Sequence, residues 1–241
     1  VDVRCGCEVQ GFGDHVVHTP DGDLPADLVV LGMGVEPASD LAVDAGLEAG
    51  AAGAVLVDAR QRTSAHGIYA AGDCADTHHL VSGHRVHVAL GTVANKTGRV
   101  AGVNLAGGYA RFPGVLGTAV TRICECEIAV TGLNARDATA AGFEFVVGTA
   151  ESTTRAGYFP GAEPVTARVL AEVGSGRLLG AQVVGCDRAA KRIDTVAAAL
   201  TGGLTAADLV ELHLGSSPAV PPLWDPVQQA ARGAVRELHR R

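Results

Sequence analysis

The chain has 241 residues, with 19 lysines and arginines against 26 aspartates and glutamates, which gives a formal net charge of −7. This length is enough for one large or two small domains with a genuine core. Because the basic residues are scattered, the sequence argues against nucleic acid or an anionic membrane as a partner and favours a small molecule or a protein.

The beginning of the chain and its apolar runs bear on where the protein works. No apolar run reaches the roughly 20 residues of a membrane-spanning helix, and the first segment has neither the basic nor the apolar region of a signal peptide. We therefore expect a cytoplasmic protein. The first residue is Val1, and the segment after it is typical of the middle of a domain, so we expect the chain to be part of a longer protein.

The first elements combine short apolar runs with turn residues. Residues 28–31 form a continuous apolar run that predicts a strand buried on both faces. A short helix is expected from Ser39, with Gly46 as its C-terminal cap. Two more apolar stretches, 53–58 and 67–72, predict further strands, so this part of the chain is expected to be α/β.

A long helix follows within residues 87–108 and closes at Gly107 and Gly108. The period of 3.6 residues predicts two helix faces. One face carries Val88, Thr92, Asn95 and Arg99, and the other carries Leu90, Val93, Val100 and Val103.

From about Arg111 the composition changes, and alternating strands dominate. Four strand-like segments lie between residues 118 and 185, and the last two are joined by the turn "GSGR". Helices with capping residues at Asn134 and Thr205, and a terminal helix from Asp225, complete an α+β domain with an antiparallel sheet. We place a domain boundary near Arg111.

Asp73 is a candidate ligand-binding residue. It follows Gly72, which lets the main chain approach a ligand closely because it has no side chain. An ionised carboxylate only accepts hydrogen bonds and therefore suits hydroxyl groups. The start of the helix after it would offer free amides and a positive dipole end to an electron-rich ring. From the residues alone, a helix-capping aspartate is the favoured alternative.

The segments "TSAHGIYAAGDCAD" and "ALGTVANKTGRVAGVNLAGG" resemble the second flavin-binding motif of the pyridine nucleotide-disulfide oxidoreductases. The resemblance is greatest to the coenzyme A disulfide reductases, NADH oxidases and NADH peroxidases. "ADLVVLGMGVEP" is similar to the exit from that family's NAD-binding domain. "YFPGAEPV", "GRLLGAQVVG", "KRIDTVAAAL" and "WDPVQQAA" are similar to its dimerisation domain.

The resemblance implies three parts and a fold class of α/β and α+β. Residues 1–36 would end an NAD-binding domain, 37–110 would form the C-terminal part of a Rossmann-like FAD-binding domain, and 111–241 would be an α+β dimerisation domain. By the resemblance, Gly72 and Asp73 hold the ribityl chain of FAD. Ala89, Leu90 and Gly91 lie along the flavin.

Other family features are missing or displaced. The chain has no Gly-x-Gly-x-x-Gly turn for the adenine nucleotide of FAD or NAD(P)H. None of the six cysteines corresponds to the family's redox-active cysteine, and reduced thiols are expected for all of them. A tyrosine of the coenzyme A disulfide reductases is replaced by Ser216. The catalytic residues are therefore unknown, with Tyr158 as a candidate that would act in the partner subunit.

Two groups of polar residues have the composition of ligand sites. His78, His79, His84 and His87 crowd one segment, but their spacing matches no standard metal site, so no metal is expected. Lys191 and Arg192 could contact a phosphate of coenzyme A. Alternatively, they could stabilise a helix at a subunit interface.

The resemblance implies part of an FAD-dependent NAD(P)H oxidoreductase that acts on a disulfide, persulfide, peroxide or dioxygen. The expected assembly is a homodimer, completed by an N-terminal half that this chain does not contain. Taken alone, the chain is not expected to complete the catalytic cycle. The alternative is a non-catalytic dimerisation or binding module derived from the same family.

Overall fold

The computed structural model describes residues 1–186 and 188–241. The chain divides into two compact units, Val1–Glu36 and Pro37–Arg241, which are described separately below. The three-part division expected from the sequence stays a prediction. No helix in the described part of the chain is both long enough and apolar enough to span a bilayer.

The first unit contains a small antiparallel sheet. Its strands are β1 (Gly11–Gly13), β2 (Val16–His18) and β3 (Leu24–Pro25), in that order. The buried strand predicted at residues 28–31 was wrong: this run forms no strand, and Leu28 and Val30 are 82% and 83% exposed. A doubly buried strand needs neighbours on both edges and faces. None of the described residues pairs with this run, so its apolar side chains stay in solvent.

The second unit begins with α1 (Asp40–Asp44) and irregular segments. The predicted cap is confirmed: Gly46 has a φ of 86°, and its N–H donates to the Val43 carbonyl oxygen at 2.8 Å. The strands predicted at 53–58 and 67–72 were wrong, because these segments make only isolated bridges, such as the one from Val55 to Ala75. A ladder needs successive paired residues, and neither segment has a neighbour that continues alongside it.

A short hairpin, β4 (Thr77–His78) and β5 (Arg85–Val86), leads into α2 (Gly91–Leu105), which confirms the predicted long helix. Its buried face differs from both predicted faces. Thr97, Val100, Ala101 and Asn104 are the fully buried residues of α2.

The buried Asn104 explains part of this difference. Its Oδ1 accepts from Arg60 Nη2 at 3.0 Å and from the Ala110 amide at 3.1 Å, and its Nδ2 donates to the Arg60 and Ala110 carbonyl oxygens. A buried amide side chain is stable only when it is hydrogen-bonded, and these bonds tie the end of α2 to the segments on either side.

The rest of the second unit is built on one antiparallel sheet, as predicted. Its spatial order is β6-β7-β10-β9-β8, with every neighbouring pair antiparallel. The strands are β6 (Ala119–Ile123), β7 (Cys126–Gly132), β8 (Phe145–Thr153), β9 (Pro164–Glu172) and β10 (Leu178–Gly185).

Among the described residues, four α-helices accompany this sheet, and the caps predicted for three of them are confirmed. The side chain of Asn134 accepts from the Asp137 amide at 2.9 Å, Thr205 and Asp208 form a capping box, and Asp225 accepts from the Val227 amide at 3.0 Å. The helices are α3 (Ala135–Ala140), α4 (Ile193–Thr201), α5 (Ala206–Glu211) and α6 (Pro226–His239).

The largest hydrophobic cluster lies between this sheet and its helices. Val169, Val183, Val196 and Val227 are completely buried in it. Helix α6 lies directly against β8, since a Cβ added to Gly148 would come within 2.0 Å of the Ala230 carbonyl oxygen. Burying such side chains contributes about 1.5–3 kcal/mol each, so this sheet domain is the most strongly packed part of the chain.

Candidate functional site

The segment that ends at Gly72 and Asp73 is fixed against helix α2. The Gly72 N–H donates to the hydroxyl oxygen of Thr97 at 3.1 Å, and a Cβ at Gly72 would lie 3.5 Å from the Cβ of Ala94. Gly72 also has a φ of 83°, a left-handed conformation that favours glycine. Glycine therefore serves the turn that presents Asp73 beside the first turns of the helix.

The carboxylate of Asp73 is exposed, and no described residue donates a hydrogen bond to it. Its main chain is held instead: His87 donates from Nε2 to the Asp73 carbonyl oxygen at 2.7 Å. The predicted alternative of a helix-capping aspartate is not realised, because α2 has no side-chain cap. The geometry leaves the carboxylate available as a hydrogen-bond acceptor for a ligand.

Ala89, Leu90 and Gly91 form the entry to α2. Leu90 is the N-cap residue with an extended backbone, and its carbonyl oxygen accepts from the Val93 amide at 2.8 Å and the Ala94 amide at 3.0 Å. The first amides of a helix have no partner within the helix. Since no side chain caps them, this end of α2 offers donors and a positive dipole end close to Gly72 and Asp73.

A buried ion pair beneath this site was missed by the sequence analysis. Asp76 is 1% exposed, and its carboxylate accepts from Arg85 Nε at 2.6 Å and Nη2 at 2.8 Å. It also accepts from the Val57 amide at 3.3 Å, and a Cβ at Gly50 would lie 2.0 Å from its Oδ2. Only two residues, Cys74 and Ala75, lie between Asp73 and Asp76, yet the carboxylate of Asp76 is buried and that of Asp73 is exposed. Asp76 therefore holds the surrounding segments together.

The histidines do not form one cluster. His79 is buried, and its Nδ1 accepts from the Val81 and Ser82 amides, each at 3.3 Å. Burial lowers the pKa of His79, and this effect outweighs its hydrogen bond to the Leu116 backbone. Within residues 1–186 and 188–241, no three His, Cys, Asp or Glu side chains are grouped as metal ligands.

His79, His84 and His87 nevertheless line one cavity of about 490 Å³. Asn134 and Gln182 of the sheet domain line its other side. This cavity lies next to the entry of α2, which places polar groups of the sheet domain near the candidate site.

The remaining candidate residues lie elsewhere. Tyr158 is 82% exposed on a turn in which the Phe159 amide donates to the Ala156 carbonyl oxygen at 2.7 Å. No contact joins it to Asp73 within the described residues, so a role in a partner subunit stays a prediction. Ser216 is exposed as well.

Lys191 and Arg192 have different environments. Lys191 pairs with Asp194 on the surface. Arg192 pairs with Asp225 at 3.2 Å and donates from Nη2 to the Thr154 carbonyl oxygen at 2.6 Å. Burial raises the pKa of Asp225, opposed by the Val227 amide and by Arg192. The guanidinium of Arg192 is thus used within the fold, where it joins the start of α4 to the start of α6.

Two family models match the chain. Residues 1–109 match the model described as pyridine nucleotide-disulphide oxidoreductase, and residues 118–224 match the dimerisation domain of the same family. The chain belongs to this family. The predicted family and fold class are therefore confirmed.

Curated relatives extend the comparison. An NAD(P)H coenzyme A polysulfide/persulfide reductase from Pyrococcus horikoshii is 41% identical over 216 residues, which cover 90% of this chain and 48% of the relative. An NADH oxidase from Methanocaldococcus jannaschii is 35% identical over 219 residues, with coverage of 90% and 48%. The chain spans about half the length of the curated relatives it matches.

Solved structures share the fold. A NAD-dependent persulfide reductase from A. fulgidus superposes with a TM-score of 0.89 at 41% identity, covering 92% of this chain and 42% of that chain. An FAD-dependent pyridine nucleotide-disulphide oxidoreductase from Desulfovibrio vulgaris has a TM-score of 0.78 at 32% identity, with coverage of 95% and 54%. One of these relatives is thus named for NAD and the other for FAD.

Proposed function

We propose that this chain contributes the ribityl- and ring-binding part of an FAD site in an NAD(P)H-dependent oxidoreductase. The observation that carries the proposal is the unpaired carboxylate of Asp73 beside the uncapped start of α2. A polyol chain presents hydroxyl donors, which suit an acceptor-only carboxylate. A hydrogen bond to a charged group of this kind contributes about 1.5–3 kcal/mol.

The residues present fit this part of FAD. Gly72 and Asp73 would hold the ribityl hydroxyls, and the entry to α2 at Ala89, Leu90 and Gly91 would lie along the ring system. Bound flavin would supply hydride and electron transfer. The phosphates of FAD and NAD(P)H are not assigned to any residue of this chain, because the chain has no Gly-x-Gly-x-x-Gly turn.

The protein's own groups prepare this site in two ways. His87 holds the Asp73 carbonyl oxygen and so fixes the main chain that carries the carboxylate. The buried pair of Asp76 and Arg85 holds the hairpin before α2 to the segment that contains Val57. Both contacts hold the segments of the site in place in the ligand-free chain.

The whole protein's substrate is proposed from the relatives. Names such as coenzyme A polysulfide/persulfide reductase and NADH oxidase favour an acceptor that is a sulfur-chain compound, a thiol-derived disulfide, a peroxide or dioxygen. Tyr158 remains the candidate for a contribution to the partner's site, and the catalytic residues are otherwise unassigned.

The proposed assembly is a homodimer through residues 111–241, supported by the match to a dimerisation domain. The expected interface buries on the order of 1,600 Å². Light scattering at micromolar concentration tests this, and a monodisperse monomer would contradict it. A chain that dimerises but never binds flavin would instead support the alternative, a non-catalytic dimerisation module.

The flavin proposal is tested by titrating the purified chain with FAD and following flavin fluorescence. The variant Asp73→Asn removes the charge at nearly constant size, and we expect its FAD affinity to fall about tenfold or more, since 1.4 kcal/mol corresponds to a factor of ten. Asp44→Asn is the matched control, because Asp44 is also an exposed aspartate and lies at the end of α1. Equal affinities of the two variants would refute the role of Asp73.

A further inference from the structure

Two cysteines lie at the end of a ladder between neighbouring strands of the sheet domain. Strand β7 pairs with β10 from Gly132 opposite Gly180 to Glu127 opposite Gly185. Cys126, the first residue of β7, directly precedes Glu127, and Cys186, at a bend in the chain, directly follows Gly185, so the last pair of the ladder brings the two cysteines next to each other. The sequence alone could not reveal this, since 59 residues separate the two cysteines, those from 127 to 185.

Continuing the register by one residue places both cysteines on the same face of the sheet. Ile128 is paired with Val184; Cys126 lies two residues before Ile128, and Cys186 lies two residues after Val184. Because side chains in a strand alternate between faces, Cys126 shares a face with Ile128, and we expect Cys186 to continue the face of Val184.

That face is the one left open by the helices. Glu127, whose side chain points to the opposite face from Cys126, accepts from the Ala190 amide at 3.0 Å at the helix-bearing side of the sheet. Val184, on the cysteine face, is 40% exposed. Cys126 and Cys186 are both half-buried free thiols, so a small oxidant can reach them.

The usual spacing of an antiparallel ladder is compatible with a disulfide at its end. Residues directly opposite in an antiparallel pair have Cα atoms about 4.5–5.5 Å apart. Disulfides accept Cα separations of about 4.4–6.8 Å, so closure requires adjustment of the side chains and little movement of the backbone. We propose that Cys126 and Cys186 are a redox-active pair that closes to a disulfide when a peroxide oxidises them.

The reaction has two steps. The thiolate of one cysteine attacks a peroxide oxygen, the O–O bond breaks, the sulfur becomes a sulfenic acid, and the alkoxide or hydroxide leaves as an alcohol or water after taking a proton. The other thiolate then displaces the hydroxyl group as water and forms the S–S bond. In total, two thiols are oxidised and one peroxide is reduced to an alcohol and water, or to two waters.

The neighbouring Cys124 provides a matched control. It lies in the two-residue turn between β6 and β7, has a φ of 53° and is exposed. Because the chain turns here, Cys124 and Cys126 do not lie at alternate positions of one strand. Cys124 is thus the more accessible thiol, whereas only Cys126 adjoins the end of the ladder that Cys186 follows.

The test treats the reduced 241-residue chain with hydrogen peroxide, blocks the remaining thiols with N-ethylmaleimide and maps peptides without reduction. We expect a linked peptide that joins Cys126 to Cys186 within one chain, with the loss of two alkylated sites. Cys126→Ser and Cys186→Ser should each abolish this link, and Cys124→Ser should retain it. Circular dichroism of each variant checks the fold.

Two results would overturn the proposal. One is full alkylation of Cys126 and Cys186 after a peroxide dose that has already oxidised the exposed Cys124. The other is a link from either cysteine to a different one. The mapping of the unsubstituted chain decides both, so the conclusion does not depend on the folding of a variant.

Discussion

The Nε2 atom of His87 lies 2.7 Å from the carbonyl oxygen of Asp73 and donates a hydrogen bond to it. This contact joins the segment before α2 to the turn after Gly72, although 13 residues, from 74 to 86, lie between the two. Because a carbonyl oxygen only accepts, the bond also sets which ring nitrogen of His87 carries the proton. His87 thus acts on the candidate flavin site by positioning its acidic residue.

We expect His87→Ala to weaken FAD binding by about fivefold, in keeping with the loss of about 1 kcal/mol for one hydrogen bond. The carboxylate of Asp73 remains in this variant, so the effect should be smaller than that of Asp73→Asn. His66→Ala is the control, because His66 is an exposed histidine of the same unit. An unchanged FAD dissociation constant in His87→Ala would contradict the positioning role.

Substitution of Asp76 should strongly destabilise the second unit. Asp76→Ala leaves the guanidinium of Arg85, whose side chain is 28% exposed, without its carboxylate partner. Breaking a fully buried pair costs about 3–5 kcal/mol, and we expect a loss towards the lower end of this range because water reaches Arg85. Urea unfolding measures the change. Glu237→Ala is the comparison, because Glu237 pairs with Arg240 at the surface, and such pairs contribute about 0–1 kcal/mol. Similar losses of unfolding free energy in both variants would show that the Asp76–Arg85 pair contributes no more to stability than the surface pair.

The contact between β8 and α6 predicts opposite effects for two glycines. Gly148→Ala should destabilise the chain by about 1–3 kcal/mol or more, because the added methyl group meets the backbone of α6. Gly98→Ala should be stabilising by up to about 1 kcal/mol, since Gly98 lies inside α2 with open space around it. Thermal unfolding of both variants checks the pair of predictions, and a stable Gly148→Ala would mean that α6 does not approach β8 so closely.

The burial of His79 predicts that stability falls in mild acid. Its pKa is lowered in the folded state, so the unfolded chain takes up the proton first as the pH falls below about 6.5. The stabilisation is therefore present above the unfolded pKa and is lost as the pH falls towards the folded pKa. Asp137, which favours the charged form, and His84, which disfavours it, are the charged groups that act on it.

The urea concentration at half-unfolding, measured at pH 7 and at pH 5.5, tests the predicted direction of this change in stability. The unsubstituted chain should lose stability at the lower pH, and His79→Gln should lose less, because it removes the group that titrates. His66→Gln is the control and should keep the full dependence, since His66 is exposed. A His79→Gln variant with the unchanged pH dependence would assign the effect to other groups.

Local patterns were sufficient for much of the sheet domain. Strands β7 to β10 follow from alternating residues and turns, and the caps at Asn134, Thr205 and Asp225 are interactions within a few residues. The family motif around Asp73 likewise lies in one continuous stretch. Such features depend on neighbours along the chain, so the sequence by itself determined them.

The tertiary structure decided the features that need a distant partner. The runs at 28–31, 53–58 and 67–72 have the composition of strands but lack a paired neighbour among the described residues, so their apolar character did not produce a ladder. The pairing of the buried Asp76 with Arg85, and the register that brings Cys126 next to Cys186, depend on chain segments that meet only in the fold. Hydrogen bonding and burial act through space, and no local pattern records which distant residue supplies them.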